Sequence, residues 1–329
     1  MQDNSHKISA AQLFCILLLM RITAEMVYPS TAGFGGMGLA GVLTAEIIRF
    51  LIALPVIIYS FKGRSFYAAI WRKNRFWGWA SAIGAALLLV LFVIRTIIYT
   101  AEFVQRNLLT QMSSLIIALF LAGFGAYAAA KGCEALARAG VLFMIAAGVI
   151  TLLVIIADIP YMDFTRELPE WSTGLFISDG AERLIRSGEY LVFAALLPYI
   201  RTDGKNAAKT RSGKAVLLYA LTAAVLGALF CVFFGVTLGE YYSMTDYPIA
   251  AAASLSDIIL FKRLDGVSCA VWALCAAFRI GMMIFAGISI VGECAKCAEN
   301  AGNAENSGNS GNAGTRHNTE AQQGKESRA

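Results

Sequence analysis

The chain has 329 residues, 58% apolar and 15% charged, with 27 Lys and Arg against 22 Asp and Glu and a formal charge of +5. Soluble domains carry ~25% charged residues, so this composition, with a mean hydropathy of +0.64, excludes an ordinary soluble fold. The two histidines, His6 and His317, sit in the terminal segments and the seven cysteines are scattered, so neither a metal site nor a cofactor site is expected inside the fold.

Eight long apolar runs lie at roughly 9–29, 38–60, 77–101, 108–130, 135–157, 183–200, 214–239 and 267–292. Each is about the length a helix needs to cross a hydrocarbon core of ~30 Å. Backbone in lipid has to satisfy its own hydrogen bonds, so the runs must be helical. The sequence therefore predicts an all-α polytopic membrane protein with about eight transmembrane helices. Residues 1–298 are expected to form one membrane domain, and 299–329 a disordered polar tail, since a stretch such as NAENSGNSGNAG has no apolar area to bury.

The first run follows Lys7 and is longer than a signal-peptide core, so it reads as a retained helix. It carries Arg21 and Glu25 at i, i+4, then exits through Tyr28-Pro29 and a Gly-rich stretch. The second carries Glu46 and Arg49 at i, i+3, and the loop at 61–76 holds Lys62, Arg64, Arg72, Lys73 and Arg75 without an acid. The third places Arg95, Tyr99 and Glu102 on one helical face. After two further runs comes an acidic loop at 158–182, in which Arg166 is the sole base. The sixth run opens with Arg183 and Arg186, sets Glu189 behind Ser187-Gly188 and ends at Pro198. A second basic loop, 201–214, precedes the seventh run. The stretch 247–261 is too short for a span and reads as re-entrant or interfacial. The eighth run has Arg279 near its middle, and Cys294 and Cys297 follow it.

Basic loops stay cytoplasmic. Eight spans then put both basic loops and both termini inside, and the acidic loop outside. The basic excess is a matter of membrane orientation, and no nucleic-acid partner is expected.

A charge in mid-helix costs ~2.5–3.5 kcal/mol on insertion scales, so such residues are candidate functional groups. Arg21/Glu25 and Glu46/Arg49 can neutralise themselves within one helix, while Glu182 and Arg183 read as interfacial. Arg95 and Arg279 have no acid within four residues and need a partner elsewhere. Breaks at Ser187-Gly188 and Tyr28-Pro29 would expose backbone groups in the way of secondary carriers built from inverted repeats. The expected ligand-binding set is Glu25, Tyr28, Arg95, Tyr99, Glu102, Ser187, Gly188, Glu189 and Arg279. Glu189 would attract an ammonium, and Arg95 or Arg279 would take a carboxylate. Two other readings remain beside it: a self-sufficient amino-acid transporter, and a structural subunit whose charges only lock helices together. No enzyme signature is present.

Three blocks of residues carry a resemblance. They are Lys7-Ile8-Ser9-Ala10-Ala11-Gln12-Leu13-Phe14, then Gly132-Cys133-Glu134-Ala135-Leu136-Ala137-Arg138, and last Tyr247-Pro248 with Phe261-Lys262-Arg263-Leu264-Asp265 and Trp272. The chain resembles the endospore germination permeases, the B subunits of germinant receptors, within the amino acid–polyamine–organocation transporter superfamily. Pro248, Arg263, Asp265 and Trp272 stand at its motif positions, whereas Lys262 replaces the usual Glu. The resemblance implies a five-plus-five inverted-repeat permease fold, here without its last two spans, in the inner membrane of a spore former. It also implies a small germinant, such as an amino acid, and A-type and C-type partner subunits.

Overall fold

The computed structural model describes residues 7–28, 37–61, 66–165, 183–184, 186, 188–200, 207–255 and 264–326, with side chains left aside at 37–38, 60, 207–212, 243 and 302–326. The described residues are almost all helical and hold no strand, only an isolated parallel bridge between Ile8 and Ile200. In chain order the helices are α1 (Ala10–Val27), α2 (Met37–Phe61), α3 (Phe66–Lys73), α4 (Arg75–Asn107), α5 (Ser114–Ala130), α6 (Cys133–Asp158), α7 (Glu189–Leu196), α8 (Ala207–Leu238), α9 (Tyr241–Met244), α10 (Pro248–Leu255) and α11 (Asp265–Glu326).

Local chemistry sets the helix starts. Ser9 and Gln12 form a reciprocal capping box that opens α1. Asn74 accepts from the amides of Phe76 and Trp77 at the start of α4, and Ser113 caps α5. Between α5 and α6 the chain reverses at Gly132, whose φ of 87° is a left-handed conformation that a side chain would strain.

Among the described residues six helices, α1, α2, α4, α6, α8 and α11, are long and apolar enough to cross a membrane. The two other expected spans are shorter. Helix α5 has 17 residues, a rise of about 25 Å at 1.5 Å per residue. The run 183–200 is interrupted: residues 183–184 are helical, Arg186 stands in a turn, and helix resumes at Glu189 with Gly188 as its N-terminal flank. Helix α10 has eight residues, which suits the short interfacial or re-entrant segment expected there; 256–263 lie outside the described residues.

Helix α11 is the hub. It packs against α1, α4, α5, α6 and α7, and Trp272, Phe278, Arg279, Met282 and Met283 on it are buried. Small residues let α5 and α11 approach closely, since a Cβ on Gly281 would stand 3.2 Å from the Gly125 carbonyl. Beyond about Ala301 the apolar character of α11 ends, yet its backbone continues as helix to Glu326. That differs from the disordered tail the composition predicts from 299. Extending an existing helix avoids the cost of a new nucleus, although Gly and Asn are poor helix formers.

The two ends of the bundle differ in charge. The Ile8 amide donates to the Tyr199 carbonyl at 2.9 Å, and Cys294 Sγ lies 3.8 Å from the Gly78 carbonyl. Gly213 abuts the Phe61 ring. The amino terminus, both basic loops and the apolar limit of α11 therefore open from one end. At the other, the Asp163 amide donates to Val236 at 3.0 Å and Arg106 pairs with Asp246. The acidic loop starts there. Single cysteines introduced at Arg64 and Ser307 should therefore react from one side of the membrane and one at Thr173 from the other, as read with a membrane-impermeant maleimide on intact cells. Labelling of 307 together with 173 would contradict this arrangement.

Candidate functional site

Inside this apolar bundle lies one polar layer. Helix α1 turns Arg21, Glu25 and Tyr28 to one side, at i, i+4, i+7. Helix α2 supplies Glu46 and Arg49, the segment before α7 supplies Arg183, Arg186 and Gly188, α7 begins with Glu189, and α11 supplies Arg279. Exposure is 2% for Arg21 and 0% for both Glu189 and Arg279. At such depth, a charge without a partner would not be tolerated.

The pairs expected within single helices do form: Arg21 Nη1 stands 2.5 Å from Glu25 Oε1, and Arg49 pairs with Glu46. They are also tied across helices, which their sequence spacing does not show. Arg21 Nε donates to Glu46 Oε1 at 2.8 Å, so one carboxylate oxygen holds guanidinium groups from α1 and α2. Arg183, expected as an interfacial residue, is held inside the protein. Its Nη1 lies 2.9 Å from Glu25 Oε2. Arg49 donates to the Arg183 carbonyl.

Arg279 finds its partners on two other segments. It donates to the Met20 carbonyl and, at 2.6 Å, to the Arg186 carbonyl, and its Nη1 lies 3.3 Å from Glu189 Oε1. The other oxygen of Glu189 accepts from the Gly188 amide at 3.1 Å. Tyr28 joins this layer to α4. Its ring lies 5.4 Å from the Arg279 guanidinium and 5.0 Å from the Tyr99 ring. Thr96 gives its own proton to the Phe92 carbonyl at 2.7 Å, so in the 2.7 Å contact between hydroxyls Tyr28 is the donor.

The remaining expected residues fall differently. Arg95 is half-buried and stacks over the Tyr99 ring at 5.2 Å, so it does not enter the charged layer. Glu102 is half-buried one turn before Arg106, whose guanidinium lies 5.9 Å from the Tyr247 ring. Burial pushes the Tyr247 phenol above its usual range, so Arg106 faces a neutral ring. The side of Gly188 is not open space: an added Cβ would meet Met283 Cε at 3.0 Å and Phe92 Cδ2 at 3.1 Å. Ser187 and Arg263 lie outside the described residues. Of the motif residues, Pro248 is buried at the start of α10, and Trp272 is buried in α11. Asp265 opens α11, where an acid suits the positive end of the helix dipole.

A polar recess beside the layer, lined by Glu25, Arg183, Arg186, Gly227, Tyr242 and Pro248 among others, has a volume of about 20 Å³, room for a single water. Two larger hollows, of ≈ 610 and ≈ 280 Å³, are lined almost wholly by apolar side chains. Among the described residues no cluster of His, Cys, Asp and Glu could hold a metal ion.

The sequence model of the family described as spore germination protein matches residues 7–300. A search of curated proteins finds no match.

Glu46 is the shared anchor of two guanidinium groups, so Glu46→Gln should destabilise the solubilised protein strongly, by about 3–5 kcal/mol for breaking a buried ion pair. Arg95→Leu removes only a ring stack and should cost ~1 kcal/mol. Thermal unfolding in detergent checks the order; equal losses would show that Arg95 has a buried partner of similar strength.

Proposed function

The chain belongs to the spore germination protein family, and we propose that it serves there as a non-enzymatic, permease-like receptor subunit that binds a small zwitterionic germinant, such as an amino acid, in its charged layer. What carries the reading is the buried Glu189–Arg279 pair, 3.3 Å apart, at the point where an apolar run breaks. Backbone polar groups and two opposite charges meet there, away from lipid.

Charge balance narrows the ligand. A zwitterion can separate Glu189 from Arg279 and still leave both paired, its ammonium on the carboxylate and its carboxylate on the guanidinium. A solute with one charge would leave the other buried group alone, at a cost of several kcal/mol. Tyr28 sits where it can close over the ligand, with Tyr99, Arg95 and Glu102 continuing the polar face of α4. Glu25 holds the Arg183 side, and Gly188 stands at the break.

Binding would act through the backbone. Arg279 and Arg49 hold the carbonyls of Arg186 and Arg183, so a ligand that draws Arg279 away releases the 183–188 segment. A moved segment is a signal that A-type and C-type partner subunits could read at the spore inner membrane. Both termini are assigned to the cytoplasmic side.

Spores carrying Glu189→Gln in this chain should lose sensitivity to their amino-acid germinants about tenfold or more, the effect of ~1.4 kcal/mol, as followed by the fall in optical density across an amino-acid panel. Unchanged sensitivity to every germinant would remove Glu189 from the site. Solute flux by the chain alone in proteoliposomes would instead make it a self-sufficient transporter.

A further inference from the structure

We propose that Arg279 is a tethered cation: its guanidinium fills a cation position among oxygen donors at the helix break, and thereby frees the protein from dependence on Na+ or K+. The partners of this side chain are those of a hard cation. Main-chain carbonyls come from Met20 on α1 and Arg186 before the break, a carboxylate oxygen comes from Glu189 at 3.3 Å, and the Tyr28 ring face lies 5.4 Å away. Oxygen donors of this kind, carbonyl and carboxylate, are what hard cations take. In carriers with broken helices, carbonyls freed by unwinding coordinate the coupling Na+.

Here the charge is already supplied. Arg279 is 0% exposed, so no bulk water competes for its donors. A guanidinium presents its N–H groups in a rigid fork, which lets a single side chain satisfy carbonyls from two segments at once. One positive charge balances the one carboxylate in this donor set. A metal ion entering the same donors would stand against a fixed like charge in a low-dielectric interior, where repulsion at a few ångströms is far stronger than in water. Arg49 repeats the device one turn away, donating to the Arg183 carbonyl. Two side-chain cations thus hold the segment that free ions would otherwise have to hold.

The test reads the protein itself, with no solute present, so its failure and the failure of the zwitterion reading are separate outcomes. The purified chain is melted in detergent, followed by tryptophan fluorescence, in chloride salts of Na+, K+, Li+ and choline at equal ionic strength. The wild-type Tm should be the same in all four. Arg279→Gly should melt several degrees lower in choline and regain part of the loss with millimolar methylguanidinium. Arg279→Lys, with one compact ammonium, should fall between the two and stay indifferent to the salt. A wild-type Tm raised by Na+ or K+ over choline would overturn the proposal. So would an Arg279→Gly variant as stable as wild type, or one that methylguanidinium does not restore. Should Arg279→Gly fail to fold, the wild-type and Arg279→Lys salt series still decide.

Discussion

A guanidinium buried in a membrane bundle has to be met by acceptors, and that requirement governs how this protein is put together. Arg21, Arg49, Arg183 and Arg279 are each at most 7% exposed, and each reaches across to a segment other than its own. Arg21 ties α1 to α2, Arg183 ties the broken run to α1, and Arg279 ties α11 to both α1 and the broken run. Apolar packing between helices in lipid is weakly directional, because tails and leucines are alike. The polar layer therefore sets rotation and depth, and apolar side chains such as Met20, Phe193, Phe278 and Met283 fill the space it leaves.

The same layer explains why a break can persist in the middle of an apolar run. Interrupting a helix orphans amides and carbonyls, each expensive to bury unpaired. Glu189 Oε2 takes the Gly188 amide, Arg279 takes the Arg186 carbonyl, and Arg49 takes that of Arg183. At Arg183, Arg186 and Gly188, side chains thus stand in for backbone partners. These replacements come from α2, α7 and α11, so the break is stable only while those helices stay in register. A segment held in this way is suited to two arrangements and unsuited to gradual yielding.

Much of this was legible in the chain. Apolar runs of membrane-spanning length and the alternating loop charge gave the helices and their common end, and the interruption at Gly188 was visible as Ser187-Gly188 inside an apolar helix. Arg279 was identifiable as a charge with no local acid. The cross-helix ties were not legible, because spacing reports only neighbours on one helix. Arg21/Glu25 and Glu46/Arg49 look self-sufficient in sequence, and nothing local says that Glu46 serves both arginines. Arg183 reads as interfacial because it opens a run, but its side chain is buried and pairs with Glu25.

Arg95 and Arg279 show how context separates two residues that the sequence treats alike. Both are lone arginines in long apolar helices. Arg279 lies on α11, which packs against α1, α4, α5, α6 and α7 among others, so carbonyls and a carboxylate are within reach from several sides. Arg95 lies on α4, whose neighbouring Ile94 and Ile98 are each 49% exposed, and it answers its charge with the face of Tyr99 one turn along its own helix. A ring face is a weaker acceptor than a carboxylate but does not have to be brought from another helix. The Tyr99 ring in turn packs on Tyr28, and Tyr28 on Arg279. Through these two rings the half-buried cation of α4 abuts the fully buried layer, and a displacement of Tyr28 would be felt by both arginines.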